Sequence, residues 1–137
     1  MALVVPNASE KTALELILNQ ALSLRLYSNN VTPANTDVLA TYTVVAGGGY
    51  ANVDLTYANW TVTAGSPTEA LYASHLSFTF TGATTAPGTI YGYYIVDAGG
   101  LLVCAERFPA ANVPWTPTAG ALIRIRPRIT LASVSGD

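Results

Sequence analysis

The residues that could carry out chemistry in this chain are few and widely separated. Its 137 residues include one His, one Cys, six Lys or Arg and eight Asp or Glu. A Ser-His-Asp triad needs its His beside a nucleophile and a carboxylate, whereas His75 stands alone before a run that alternates like a strand. We expect a surface or hydrogen-bonded strand histidine at this position, and we assign no catalytic residue.

Metal and acid–base chemistry also require clusters that the sequence does not single out. A metal site combines three or four His, Cys or carboxylate ligands, and a glycosidase needs two facing carboxylates. The acidic residues are instead scattered along the chain: Asp37, Asp54, Glu69, Asp97 and Glu106. The glycine run 47–49 lacks the Lys-Ser/Thr of a phosphate-binding loop. We therefore predict that the protein is not an enzyme and holds neither a metal nor a cofactor.

Composition points to association with other subunits. Only 10% of the residues are charged and 50% are hydrophobic, against about 25% charged in an average soluble domain. A free monomer usually carries more charge to stay soluble, so we expect a homo-oligomer, a dimer or trimer. The single Cys104 is expected to pack as a small apolar side chain.

Other partners and locations are not expected. The net charge is -2, and the basic residues cluster only at 124–128, so we predict no nucleic-acid binding. The beginning, MALVVPNASEK, has no basic stretch followed by an apolar core, so we predict no signal peptide. The longest charge-free run, 70–96, alternates at period two and is broken by Gly and Pro, so we predict no membrane span.

The elements that must position these residues are mostly strands. Ser9 is a predicted N-cap, and apolar residues at helical spacing (Leu14, Ile17, Leu18) predict one helix over 10–19. Alternating apolar residues predict about eight strands: 21–28, 50–55, 59–63, 69–73, 75–81, two arms within 89–108, and 121–131. Segment 38–45 is either a helical turn or a short strand. Pro127 should mark an edge or a bulge in the last strand.

This pattern predicts one all-β domain, an antiparallel β-sandwich or jelly roll with one short N-terminal helix. Residues 1–20 form the N-terminal arm and helix, 21–132 the sandwich and 133–137 a tail. Loop formers fill 29–37 and 109–120, and the second of these loops holds Trp115.

The stretch 89–108 reads as a long β-hairpin, in which the Gly99-Gly100 pair permits a tight turn. The spacing places Val96 opposite Leu101. Both faces of the hairpin are apolar, so we expect both to be covered, in the middle of a sandwich or at a subunit interface. On this basis three residues of one face become candidate interface residues: Tyr91, Tyr93 and Ile95.

Charged and aromatic side chains supply the remaining interface candidates. Glu106 and Arg107 lie on opposite faces of the second arm. Each either has a partner across the sheet, such as Arg124 for Glu106, or contributes to an intersubunit salt bridge. The row Arg124, Arg126 and Arg128 forms either a solvated outer face or a contact with an acidic partner. Trp115, with Trp60 and the loop tyrosines, either packs in the core or an interface or stacks on sugars.

Several segments resemble a common family of small structural proteins of tailed bacteriophages. The resemblance covers about residues 20–132. Its most specific parts are Leu26-Tyr27 with 29–33, Ile90-Tyr91-Gly92-Tyr93, and Ala105-Glu106-Arg107-Phe108. The resemblance implies a virion structural protein that is made in the bacterial cytoplasm and located in the phage head. More specifically, it implies a jelly-roll capsid cement or decoration protein that binds the assembled shell, with the major capsid protein as its partner.

Two alternatives stay open at this point. One is a tail, baseplate or fibre-associated structural protein, for which the same composition would serve. The other is a carbohydrate-binding β-sandwich that uses Trp60, Trp115 and loop tyrosines.

Overall fold

The computed structural model describes residues 4–132 and shows a mostly β protein with one short α-helix. The helix α1 spans Asn7–Leu18. Within the described residues the strands are β1 (Leu22–Tyr27), β2 (Val53–Leu55), β3 (Trp60–Thr63), β4 (Thr68–Tyr72), β5 (Leu76–Thr79), β6 (Gly92–Asp97), β7 (Leu102–Arg107), β8 (Leu122–Ile125) and β9 (Arg128–Leu131). Short 3-10 turns occupy Leu39–Thr41, Tyr57–Asn59 and Ala110–Asn112. The predicted tail, 133–137, lies outside the described residues.

Helix α1 begins three residues earlier than the sequence predicts. Pro6, not Ser9, precedes its first turn, and the Pro6 carbonyl accepts hydrogen bonds from the N–H groups of Ser9 and Glu10. A proline fits this boundary because the N–H that it lacks would have no partner inside the helix. Leu14 and Leu18 are buried, whereas Ile17 is 38% exposed and so lies outside the buried stripe predicted for it.

The strands form three antiparallel sheets. The largest has the order β2-β1-β6-β7, and the two others have the orders β3-β4-β9 and β5-β8. Alternation in β1 places Leu22, Leu24 and Leu26 on the core side, as the sequence predicts. The predicted all-β class with a short N-terminal helix is confirmed at this level.

The predicted last strand is divided between two sheets. Its first half, β8, pairs with β5, and its second half, β9, pairs with β4. The break falls at Arg126 and Pro127. Because a proline has no N–H to donate, it interrupts the ladder at the point where the chain changes sheets.

The main hydrophobic core receives side chains from the helix and from all three sheets. Its buried members are Leu14, Leu18, Leu22, Leu24, Leu26, Val45, Leu55, Trp60, Ala70, Tyr72, Phe78, Phe80, Ile90, Ile95 and Ile125. A second, smaller cluster lies on the other face of the four-stranded sheet, built from Tyr27, Tyr42, Tyr94 and Val96. The four-stranded sheet therefore has apolar contacts on both faces.

The hairpin β6–β7 forms as predicted but in a different register. Val96 pairs with Leu102 and Ile95 with Cys104, so Val103 is an extra residue in a β-bulge. The sequence prediction of Val96 opposite Leu101 is wrong, since a regular alternation gives no sign of a bulge. The bulge also turns Leu102 toward the second cluster while Val103 packs against the main core.

Candidate functional site

Residues 28–45, here called the strap, cover the outer face of the four-stranded sheet. The strap turns back on β1, where Ser28 N–H donates to Thr43 O at 2.8 Å and Val45 N–H donates to Leu26 O at 3.0 Å. The Asn29 side chain fixes the return, since its Nδ2 donates to Thr41 O at 2.8 Å and its Oδ1 accepts from Thr43 N–H at 2.9 Å. The second apolar face of the hairpin is thus covered by this chain itself.

A tyrosine cluster lies under the strap. The rings of Tyr27 and Tyr42 meet edge to face with centroids 4.9 Å apart, and Tyr42 stacks on Tyr94 at 5.3 Å. The Tyr42 hydroxyl donates to Asp37 Oδ2 at 2.6 Å. That hydrogen bond lowers the pKa of Asp37, while burial raises the pKa of Tyr27 to about 12.

Arg107 joins the strap to β7. Its Nη1 donates to the carbonyl oxygen of Val31 at 2.9 Å, and its guanidinium lies 5.1 Å from the ring centroid of Tyr91. The Tyr27 hydroxyl donates to the same Val31 oxygen at 3.2 Å. Two hydrogen bonds, one of them charge-assisted, thus converge on the Val31 carbonyl of the strap, and the cation–π contact with Tyr91 holds the guanidinium in place.

Gly92 makes this arrangement possible. A Cβ at this position would lie 2.6 Å from the Tyr27 hydroxyl and 2.7 Å from its ring, and would also collide with the carbonyl oxygen of Glu106. Its φ is not in the left-handed region, so the requirement for glycine is one of space.

The segments that carry the sequence resemblance therefore meet in three dimensions. Tyr27, Val31, Tyr91, Gly92 and Arg107 form one contact network, here called the strap lock. Its members come from three segments, and the hydrogen bond between Arg107 and Val31 spans 76 residues of chain. These contacts join the strap to the ends of β1 and β7 and to the start of β6.

The remaining hairpin candidates are also engaged within the chain. Ile95 is 1% exposed and packs in the main core, so its side chain has no surface left for another subunit. The Tyr93 hydroxyl donates to Glu106 Oε2. The partner of Glu106 is thus Tyr93, not Arg124 as suggested from the sequence. Burial first, and then Glu106, raise the pKa of Tyr93.

The three arginines of the final segment are all exposed but do not act alike. Arg126 Nε donates to Tyr72 O at 2.8 Å, and Arg128 Nη2 lies 2.6 Å from Glu69 Oε2. Arg124 makes no hydrogen bond or ion pair to any residue from 4 to 132. Two of the three guanidinium groups are therefore occupied locally.

The two tryptophans differ in accessibility. Trp60 is 8% exposed, and its indole N–H has no partner among residues 4–132. Trp115 is half-buried, contacts Phe80 edge to face, and lines a groove of about 470 Å³ with six other residues. Only Trp115 could present a ring face to a ligand.

The remaining groups with chemical potential lie apart. His75 is exposed, and burial raises the pKa of the Cys104 thiol to about 12. Within residues 4–132, no three His, Cys, Asp or Glu side chains come together in a way that could hold a metal ion. Over the same residues, no helix has the length and apolar character needed to cross a membrane.

One surface feature was missed by the sequence reasoning. Among residues 4–132, β7 forms an edge of the four-stranded sheet and pairs only with β6. Its side chains are half-covered or exposed, in contrast to the mostly buried β6. Strand order depends on pairings between distant segments, so the alternation of β7 gave no signal of an open edge.

Comparison of the chain with protein-family models, curated proteins and solved structures gave no match.

Proposed function

We propose that this protein is a non-enzymatic structural component of a tailed-phage particle, most specifically a cement or decoration protein that binds the assembled shell. The observation that carries the proposal is the strap lock, because the segments most typical of the resemblance attach the strap to the four-stranded sheet of a charge-poor β domain. A rigid domain loses little conformational entropy when it binds a surface. Because the protein would bind only the assembled shell, across the contacts between capsomers, binding would stabilise that shell by mass action.

We also propose that the three sheets form a β-sandwich of jelly-roll type. The sheet β2-β1-β6-β7 would be one layer, and β3-β4-β9 with β5-β8 would be the other. The shared main core, which draws on all three sheets, supports this arrangement.

The copy number in purified particles tests the proposed role. Quantitative mass spectrometry of virions should give hundreds of copies for a cement protein and only a handful for a tail, baseplate or fibre component. Heads assembled without the protein should release DNA at a lower temperature than complete heads. Absence of the protein from purified particles would refute the proposal.

A carbohydrate-binding role is the second candidate, and the groove beside Trp115 favours it. A half-buried indole at the wall of a groove, with a neighbouring polar group such as Asn112, offers an apolar ring face on which a sugar could stack. Glycan-array binding that Trp115→Ala abolishes and Trp60→Phe preserves would support this role. Binding to no glycan would exclude it.

A further inference from the structure

The outer edge of β7 is the longest unpaired strand edge among residues 4–132. β7 has six residues, whereas the other edge strands have three or four. Natural edge strands are usually protected from further pairing by Lys, Pro or a bulge. β7 contains neither Lys nor Pro, and its bulge protects only the end at Val103.

Beyond the bulge, the unpaired backbone groups of β7 belong to Ala105 and Arg107. Phe108 N–H donates toward β6, to Tyr91 O at 2.9 Å. Because N–H groups alternate in direction along an antiparallel strand, those of Ala105 and Arg107 point away from β6. No backbone or side-chain group of residues 4–132 bonds to them.

Open space lies beside both faces of this edge. A groove of about 370 Å³ separates Leu102–Ala105 from the strap residues Pro33–Asp37. On the core side, a groove of about 210 Å³ lies between β7 and the start of β9. Alternate side chains of an added strand would enter one groove or the other.

A second copy of this chain fits the edge poorly. In a symmetric pair of two β7 strands, the outward-facing backbone groups meet only if one residue lies directly opposite the same residue of the other copy, on the two-fold axis. An axis at Glu106 sets its carboxylate against that of the other copy, and an axis at Arg107 opposes two guanidiniums. Like charges directly opposite each other destabilise a strand pair. If the axis lay at Ala105 or at an earlier residue, the two strands would have to pair across the bulge at Val103.

We propose that the β7 edge binds an extended segment of a different protein as an added antiparallel strand. Charge complementarity fixes the order of residues in that segment: an acidic residue opposite Arg107, then a basic residue opposite Glu106, then a small one opposite Ala105. Both charges can still receive a partner, because Arg107 Nη2 and Glu106 Oε1 make no hydrogen bond or ion pair to residues 4–132. Backbone hydrogen bonds give the affinity in this mode, and the side chains give the specificity. The inference rests on the proposed function only in assigning the segment to the particle that the protein coats.

Two synthetic peptides test the proposal on the unmodified full chain. One is acetyl-Thr-Val-Glu-Lys-Ala-Val-Thr-amide, and the other has the same composition with Lys before Glu. In NMR titrations the first should slow amide exchange at Ala105 and Arg107 and should bind about tenfold more tightly than the second, because the swap turns two attractive pairs into repulsive ones. Equal affinity, or protection elsewhere, would overturn the proposal.

A pair of proline variants locates the binding. Ala105→Pro removes an outward N–H from β7 and should abolish binding of the first peptide. Ser77→Pro removes an outward N–H from the exposed edge strand β5, away from both grooves, and should leave binding intact. Circular dichroism should verify that both variants fold.

Two measurements on the protein without peptide, amide exchange and light scattering, complete the test. The Ala105 and Arg107 amides should exchange fast, and light scattering should show no pairing through this edge. Slow exchange in a monomer would mean that the chain's own segment covers the edge, and a dimer broken by Ala105→Pro would mean self-pairing. Either result overturns the proposal, whereas a low virion copy number with intact peptide binding would refute only the cement role.

Discussion

The guanidinium of Arg107 donates a hydrogen bond to the carbonyl oxygen of Val31 at 2.9 Å, across 76 residues of chain. This bond attaches the strap to the last strand of the four-stranded sheet. It gives Arg107 a structural role inside the monomer, where the sequence suggested either a cross-strand partner or an intersubunit salt bridge.

Removing this side chain should loosen the strap. Arg107→Ala deletes a charge-assisted hydrogen bond and a cation–π contact with Tyr91. We expect the free energy of unfolding to fall by about 2 kcal/mol. Urea denaturation should show a lower midpoint. Arg124→Ala is the matched control, since this exposed arginine has no bonded partner among residues 4–132, and its change should stay within about 0.5 kcal/mol. Equal effects of the two substitutions would contradict the role of Arg107.

Adding a single methyl group at Gly92 should be more damaging. In Gly92→Ala the new Cβ collides with the Tyr27 side chain, which is 0% exposed and cannot move aside. We expect a loss of about 3 kcal/mol or more, as for overpacked cores. Gly82→Ala is the control, because a Cβ there meets nothing within 4 Å. The melting temperature of Gly82→Ala should lie within a few degrees of that of the unaltered protein. An equally small change in Gly92→Ala would show that Tyr27 does not exclude a side chain at position 92.

The buried Thr68 should matter for the docking of helix α1. Its hydroxyl donates to Glu10 Oε2 at 3.1 Å, and both residues are at least 97% buried, with 0% and 3% of their surface exposed. Thr68→Val removes this hydrogen bond from a buried carboxylate, together with the contacts of the hydroxyl to Gly65 O at 3.3 Å and Gly65 N–H at 3.4 Å, at a cost of about 1–3 kcal/mol. Denaturation of Thr63→Val, an exposed threonine on β3, gives the baseline for the same chemical change. No difference between the two would argue that Thr68 does not hold the helix.

Alkaline pH should destabilise the protein through its buried tyrosines. Burial raises the pKa values of Tyr27 and Tyr50 to about 12 in the folded chain, against about 10 in an unfolded chain. A raised folded pKa means that the stabilisation is complete below pH 10 and is lost as the pH rises toward 12. Unfolding free energies between pH 9 and 12 should therefore fall. Tyr27→Phe should flatten this dependence, and Tyr57→Phe, at an exposed ring, should not. A flat profile for the unaltered protein would contradict the prediction.

The Cys104 thiol should be nearly inert in the folded chain. Burial, and then the charge of Glu106, raise its pKa to about 12, and only the thiolate reacts with disulfide reagents. At pH 8 the reaction with a disulfide reagent should be at least about tenfold slower in the native protein than in urea, because the raised pKa leaves a smaller fraction of thiolate. Similar rates in the two states would show that the thiol is exposed and ionisable.

The sequence by itself determined the local character of this chain. Period-two alternation in segments such as 22–27 and helical spacing around Leu14 and Leu18 fixed the all-β class and the single helix. These patterns are local because each records which side of a strand or helix leaves water. Alternation also identified the two apolar faces of the hairpin.

Only the tertiary structure decided what covers those faces and which edges stay open. The strap, the division of the last segment at Pro127 and the bulge at Val103 all depend on contacts between residues far apart in the chain. Alternation has the same period whether an apolar face meets a neighbouring subunit or the chain's own loop. For that reason Arg107 could be recognised as unusual from the sequence, while its partner, Val31, could be found only in the folded protein.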